Sequence, residues 1–293
     1  MLSILIPTYN YCVYDLVFEL KNQCDSIGIT YEIICQDDNS TIGLDNEKIN
    51  QLHYCLFIKN TENLGRSKNR NTLSQKAKFQ NLLFLDADTF PVHKNFIANY
   101  IAEINNNYTI VNGGIVYQTE KPPKEKLLRW VYGIKREALS VEKRNENGYL
   151  SFLTLNFLIH KDVFKTVIFN ESIPNLRHED TLFSYNLMQN KILIKNIENP
   201  VFHYGIDNFD RALIKEHESL SALKNLTEKG LLSQDYVKIS KLYFTIKSLH
   251  CIGLIVFSFK IIKPLLLKNM SNSNPSLLVF DIYRIGYLCS LKD

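Results

Sequence analysis

Apolar residues in this chain come in short runs that stop abruptly at polar ones, and the runs alternate with amphipathic stretches. Ser3-Ile4-Leu5-Ile6-Pro7 reads as a strand halted by proline. Residues 14–23 place Leu16, Val17 and Leu20 at helical spacing, so a helix follows. Tyr31-Glu32-Ile33-Ile34-Cys35-Gln36 is a second strand, closed by Asp37-Asp38 and the turn residues Asn39-Ser40. Cys55-Leu56-Phe57-Ile58 forms a third strand and residues 66–79 a helix. Leu82-Leu83-Phe84-Leu85 is a fourth strand, ending at Asp86-Ala87-Asp88. Strands alternating with helices predict an α/β fold, a mostly parallel sheet with helices on both faces.

Farther along, Ile110-Val111-Asn112-Gly113-Gly114-Ile115-Val116 predicts strand and turn. Residues 121–147, densely charged around Trp130 and Tyr132, read as a mobile surface helix or loop. Residues 153–160 resume a strand, 179–189 read as a helix, and Lys191-Ile192-Leu193-Ile194 leads to Val201-Phe202-His203-Tyr204.

At 293 residues, 45% hydrophobic and 22% charged, the chain suits one large domain or a domain with an appendage, and disorder is disfavoured. Six cysteines, at 12, 24, 35, 55, 251 and 289, form no C-x-x-C pair. Met1-Leu2-Ser3-Ile4 runs directly into the first strand pattern without a secretory leader, so the expectation is reduced thiols in the cytoplasm. Residues 1–204 hold 22 Lys and Arg against 22 Asp and Glu, whereas 205–293 hold 12 against 8, so the whole surplus lies in the tail. The expected division is a main α/β domain over 1–205 and a helical region over 206–293, with no nucleic-acid partner.

Ligands of α/β folds gather beyond the carboxyl ends of the strands. Three of the four strand ends here carry distinctive chemistry: Pro7-Thr8-Tyr9-Asn10, Asp37-Asp38-Asn39-Ser40 and Asp86-Ala87-Asp88. Paired carboxylates at such a place suit a hard divalent cation that takes its remaining oxygens from substrate phosphates. Taken alone, Asp-x-Asp is more often the mark of a solvated loop, so its context decides.

In order and spacing the motifs resemble those of a family 2 glycosyltransferase of the GT-A fold, over roughly residues 1–205. Ser3-Ile4-Leu5-Ile6-Pro7-Thr8-Tyr9-Asn10 is similar to that family's opening strand, and Glu32-Ile33-Ile34-Cys35-Gln36-Asp37-Asp38-Asn39-Ser40-Thr41 to its second strand and Asp-Asp-Gly-Ser-Thr turn. Asn63-Leu64-Gly65-Arg66-Ser67-Lys68-Asn69-Arg70-Asn71 resembles the stretch that ends in Arg-Asn, Asp86-Ala87-Asp88 fills the Asp-x-Asp position, and Glu179-Asp180 matches the late Glu-Asp pair. Two departures stand out. Asn39 replaces the usual glycine, which asparagine tolerates through its access to left-handed backbone. Val167-Ile168-Phe169-Asn170-Glu171 is a degraded form of the expected Gly-Gly-Phe-Asp-Glu.

The resemblance implies an inverting transfer from a nucleotide-diphosphate sugar, UDP-sugar favoured, to a glycan or lipid-linked hydroxyl in polysaccharide assembly, with Mn²⁺ or Mg²⁺ as cofactor. It implies that Asp88 ligates the metal, that Asp86 contacts the donor ribose or the same cation, and that His203 completes the site. A histidine at the end of an apolar strand is equally often only hydrogen-bonded structure. Pro7, Thr8, Tyr9, one of Asp37 or Asp38, Asn63, Gly65, Arg70 and the Asp86-Ala87 segment are implied to hold the nucleotide, a carboxylate at the second strand end accepting an imide N–H of uracil or thymine. Asp180 is the implied base, although a carboxylate at a helix start is also explained as a cap. Glu179 and His178 are implied on the acceptor side, and Trp130 offers a sugar-stacking face, core packing being the more usual fate of a sole tryptophan.

Rival classes fit less well. A sugar nucleotidyltransferase would open with a glycine-rich loop and a basic residue after the first strand, a dinucleotide oxidoreductase with G-x-G-x-x-G, and Pro7-Thr8-Tyr9-Asn10 is neither. A catalytically silent binding subunit is disfavoured by the retained Asp86, Asp88 and Asp180. In the tail, residues 236–268 combine apolar residues with Lys238, Lys241, Lys247, Lys260, Lys263 and Lys268. The longest uncharged stretch there, Ser248 to Phe259, has 12 residues, whereas a spanning helix takes about 20. This pattern predicts a helix lying on an anionic membrane surface, with core or dimer packing as the alternative. The implied setting is peripheral, on the inner face of the membrane.

Overall fold

The apolar runs become strands, and the computed structural model describes them within residues 1–104, 110–172 and 177–292. The chain runs β1 (Leu2–Thr8), α1 (Tyr14–Ile27), β2 (Tyr31–Asp37), β3 (Cys55–Lys59), α2 (Arg66–Lys76), β4 (Asn81–Leu85), β5 (Thr89–Pro91) and α3 (Phe96–Glu103). Next come β6 (Ile110–Asn112), β7 (Ile115–Val116), α4 (Leu127–Tyr132), α5 (Val141–Asn147), β8 (Asn156–His160), α6 (Lys161–Thr166) and α7 (Glu179–Gln189). The last elements are β9 (Ile194–Asn196), β10 (Val201–His203), α8 (Phe209–Glu228), α9 (Lys238–Ser248), α10 (Ile252–Met270) and α11 (Leu277–Ser290). Two units result: the first holds residues 1–116, 138–172 and 179–205, the second 117–137, 177–178 and 206–292.

In the first unit a seven-stranded sheet has the order β3-β2-β1-β4-β8-β6-β9, and only β8 opposes the common direction. The order makes β2, β1 and β4 neighbours, so the three chemically distinctive strand ends open side by side. β1 does not stop at Pro7 as its sequence suggests: Pro7 pairs with Gln36 and Thr8 with Asp37. Pairing of β1 with β4 ends at Leu5, so that flank is open where proline lacks an N–H. The helix predicted over 66–79 ends instead at Lys76, because Ala77 turns extended and the Lys78 N–H goes to the buried Glu32 carboxylate at 2.5 Å.

Strand residues alternate between two buried faces. Leu5, Ile34, Leu82, Phe84, Phe157 and Ile159 pack with Leu73 of α2, Phe164 of α6 and Phe183 and Leu187 of α7. Their rings stack, Phe84 on Phe157 at 5.0 Å and Phe169 on Phe183 at 4.4 Å. Removing one such ring costs about 3–5 kcal/mol, so this cluster is the rigid floor under the strand ends. The alternating residues Ile4, Ile33 and Leu83 are equally buried, on the face where α1 packs with α3. A small second sheet, β5-β10-β7, sets His203 opposite Thr89 and Phe202 opposite Phe90.

The second unit is helical. Leu128 of α4, Phe259, Leu266 and Met270 of α10, and Phe280 and Tyr283 of α11 form its main cluster. Gly286 permits the close approach of α10 and α11, since a Cβ there would collide with the Phe259 ring. Arg136 forks onto Asp281 at 2.8 and 2.5 Å, and Arg284 meets Glu216 at 2.6 Å. The stretch 121–147, read from sequence as a mobile surface element, folds into short helices that bury Leu127, Leu128 and Arg144. Its few apolar residues and one arginine do the anchoring, which the dense charge around them conceals.

Candidate active site

Asp86 follows the last residue of β4. Its N–H donates to the Leu155 carbonyl at 3.0 Å, and its own carbonyl accepts the Thr89 N–H at 3.2 Å and hydroxyl at 2.7 Å. This tight turn fixes the direction of both acids. The Asp86 carboxylate accepts from Arg70 Nη2 at 2.6 Å. Arg70 comes from α2, is buried, and lies 5.4 Å over the Phe169 ring. Burial would disfavour its charge, but Asp86 and then Glu179 more than offset that and hold its pKa up. Burial raises the Asp86 carboxyl, Arg70 pulls it back, and Asp88 adds to the rise.

Arg70 also reaches Glu179, Nη1 to Oε1 at 3.9 Å, and the half-exposed Arg66 reaches the same oxygen at 3.4 Å. Two arginines of α2 thus hold the first residue of α7 and the strand end in one electrostatic group. Asp180, next in α7, accepts the Thr181 N–H at 2.7 Å. Burial pushes its carboxyl up to about 6, the Glu179 carboxylate pushing the same way while the Thr181 N–H and Arg70 oppose. A carboxyl poised there changes charge close to neutrality and suits proton transfer.

Asp88 lies across the turn from Asp86, and His203 Nε2 lies 3.3 Å from its Oδ2. The register of β5 and β10 causes this, supported by the Tyr204 N–H donating to the Asp88 carbonyl at 2.9 Å. Gly205 keeps the place open: a Cβ there would run into the Asp88 carboxylate and stand 3.0 Å from His203 Nε2. Tyr11 borders the same group, its hydroxyl pKa raised by burial and by Asp88. Among the described residues no three His, Cys, Asp or Glu side chains gather into a group able to hold an ion by themselves. An acid and an imidazole side by side fit a cation that completes its shell with phosphate oxygens and water.

The two aspartates after β2 have different occupations. Asp38 accepts the Leu64 N–H at 2.7 Å, the Gly65 N–H at 2.9 Å and the Asn60 amide at 3.1 Å, while its carbonyl accepts from Asn63 at 3.0 Å. Asn63 and Gly65 therefore reach the site as the loop that Asp38 holds, with Gly65 at φ 81° before α2. Among the described residues the Asp37 carboxylate accepts from the backbone N–H and hydroxyl of Ser40, in its own turn, while its carbonyl accepts the Asn60 N–H at 2.8 Å. Asn39 takes φ 61°, the left-handed backbone expected of it. Asn10 binds the Thr41 N–H at 2.9 Å, joining the first two strand ends. Thr8 is buried, Pro7 half-buried, and Tyr9 exposed beside them; Ala87 is half-buried between the two acids.

Trp130 and His178 belong to the second unit. The Trp130 indole N–H donates to the Gln118 carbonyl at 2.9 Å, and His178, at φ 76°, has its Nε2 2.8 Å from the Ser219 hydroxyl. Sequence reasoning missed Arg66, Gly205, Tyr11 and Asn71. Asn71 binds the Phe169 carbonyl and the Glu171 carboxylate, both at 2.8 Å, and so holds the degraded motif in place. Its neighbour Arg70 was the available signal.

Comparison with known proteins identifies the family and the fold. The profile described as Glycosyl transferase family 2 matches residues 3–168. TarS residues 1–349 from S. aureus superpose over 97% of this chain and 90% of that one, at 16% identity and TM-score 0.50. GalNAc-T7, solved with UDP, GalNAc and Mn²⁺, aligns over 86% of this chain and 54% of its own, at 16% identity and TM-score 0.54. The mannosyltransferase PcManGT from Pyrobaculum calidifontis, solved with GDP-Man and Mn²⁺, aligns over 78% and 64%, at 14% identity and TM-score 0.52. At these identities the likeness is one of fold, that of GT-A glycosyltransferases. No curated protein sequence matches the chain significantly.

Proposed function

The chain belongs to glycosyl transferase family 2, and from that premise we propose that this glycosyltransferase moves a sugar from a UDP-sugar to a glycan or lipid-linked hydroxyl with inversion, in polysaccharide assembly. The observation that carries the reading is the Asp88–His203 pair at the end of β4, set in the same unit as the Arg70–Glu179–Asp180 group. Asp88 and His203 would hold Mn²⁺ or Mg²⁺, with Asp86 beside them. When bound, the ion neutralises charge developing on the departing diphosphate.

The remaining work falls to the chain's own side chains. Asp37, whose carboxylate takes two donors from Ser40 of its own turn, receives the imide N–H of the base, whereas the Asp38 carboxylate takes three donors from the 60–65 loop and is committed to holding it. Pro7, Thr8 and Tyr9 border the base, and Asn63 and Gly65 shape its slot through Asp38. Arg70 favours the ionised form of Asp86 against its burial and holds it aligned. The acceptor oxygen attacks the anomeric carbon as its proton passes to the Asp180 carboxylate, and the bond to the diphosphate oxygen breaks on the opposite side. One base and no covalent nucleophile give a single displacement, hence inversion. Glu179, clamped by Arg66 and Arg70, positions Asp180. The setting is the cytoplasm, at the inner face of a membrane that presents the acceptor; all six cysteines are free thiols.

Incubating the purified chain with Mn²⁺ and a panel of UDP-, GDP- and dTDP-sugars tests this reading. UDP release that disappears with chelator, and a product whose anomeric configuration is inverted by NMR, are the expected results. Retained configuration, or no release from any donor, would refute it.

A further inference from the structure

The second unit carries an apolar surface that no helix covers. On α10, Leu254, Phe257, Ile261 and Leu265 follow one another at intervals of three and four residues and so share one face. They are 65%, 64%, 63% and 69% exposed. The other side of the same helix is the packed one, where Phe259, Leu266 and Met270 meet Phe280 and Tyr283 of α11. Leu249, just past α9, and Leu278 on α11 add exposed apolar residues, at 66% and 70%. Isolated exposed leucines are ordinary, but a continuous stripe about 17 Å long on one helix is not.

Charge identifies the occupant. Residues 236–280 hold six lysines, at 238, 241, 247, 260, 263 and 268, and no aspartate or glutamate. Lys260 and Lys268 are exposed on α10, and Lys238, Lys241 and Lys247 on α9. A second copy would set these lysines against their own kind, and a purely apolar protein groove would leave them idle. An anionic bilayer surface satisfies both the stripe and the lysines. Crossing the bilayer is a poorer fit: α9 and α10 meet at 118°, and among the described residues no single helix is long and apolar enough to span.

We propose that α10 lies in the plane of an anionic lipid surface, inserting Leu254, Phe257, Ile261 and Leu265 and setting the flanking lysines against the headgroups. This rests on the reading that a membrane presents the acceptor, and it names the face and the lipid chemistry that bring the enzyme there. Each lysine near such a surface contributes about fivefold in affinity, weakened by salt, and the four apolar side chains supply the rest.

Co-sedimentation of the full chain with vesicles, phosphatidylcholine alone or mixed with phosphatidylglycerol, tests it. The wild type should pellet with the mixed vesicles and remain in solution with phosphatidylcholine alone. Phe257→Ser combined with Ile261→Ser should lower the bound fraction at least about tenfold, and Lys260→Ala about fivefold. Both variants should retain UDP-sugar hydrolysis in free solution and the wild-type melting temperature. A Phe257→Trp variant should shift its fluorescence to the blue when mixed vesicles are added. A soluble wild type, equal binding by the serine variant, an unshifted tryptophan, or a dimer dispersed by the serine variant would each overturn the proposal. Loss of hydrolysis with vesicle binding intact would count against the catalytic reading and leave this surface standing.

Discussion

The strand-end cluster of the first unit and the exposed face of α10 in the second are opposites. In the first, charged side chains are withdrawn from water and matched with partners: Arg70 with Asp86 and Glu179, Asp38 with three donors of its loop, Asp88 with His203. In the second, large apolar side chains stand in water beside lysines that lack acidic neighbours in sequence. Each arrangement is costly for folding alone, the first through desolvation and the second through unburied apolar area. The two proposals read these inversions of the usual pattern differently, the first as a prearranged site for a charged ligand and the second as a face for a lipid surface.

That contrast can be broken by substitution. Asp88→Ala removes the proposed metal ligand, and turnover should fall close to 10⁴-fold, about 5 kcal/mol of transition-state stabilisation, while the melting temperature stays within a few degrees. Steady-state hydrolysis and a thermal melt on the same preparation check both halves. Asp180→Asn should cost about 10²–10³-fold in transfer and leave donor binding intact by calorimetry. Because burial raises Asp180 to about 6 and the base works only when ionised, wild-type kcat/KM should climb as pH rises through about 6 and level off above it. The asparagine variant should lack that limb.

Arg70→Met leaves Asp86 and Glu179 without their shared cation, and chemical denaturation should show a loss of about 3 kcal/mol. Gly205→Ala drives a methyl group against Asp88, and Mn²⁺ affinity should fall about 10–100-fold with the fold retained. Phe257→Ser is the smallest: its stability should stay within about 0.5 kcal/mol of wild type, in contrast to Phe169→Ala in the core, which should cost about 3–5 kcal/mol.

Much of the first unit is legible in the chain because its strands are local apolar runs. β1, β2 and β4 announce themselves, and their polar ends line up once the sheet order puts them side by side. α1 and α7 declare themselves by spacing and position. What stays hidden depends on distant pairing. β5, β7 and β10 have two or three residues each, too few for any periodicity, yet their register brings His203 to Asp88. Asp37 and Asp38 look alike in sequence, and only the loop at 60–65 separates them. Arg66 and Gly205 gain meaning from Glu179 and Asp88, which lie over a hundred residues away.

The proposed reaction requires Asp88 and His203 to grip a divalent cation together with the donor diphosphate. Calorimetric titration of Mn²⁺ into the full chain, with and without UDP, tests it most directly. Binding should tighten with UDP, weaken in His203→Ala and vanish in Asp88→Ala. Equal Mn²⁺ affinity in wild type and Asp88→Ala would contradict it.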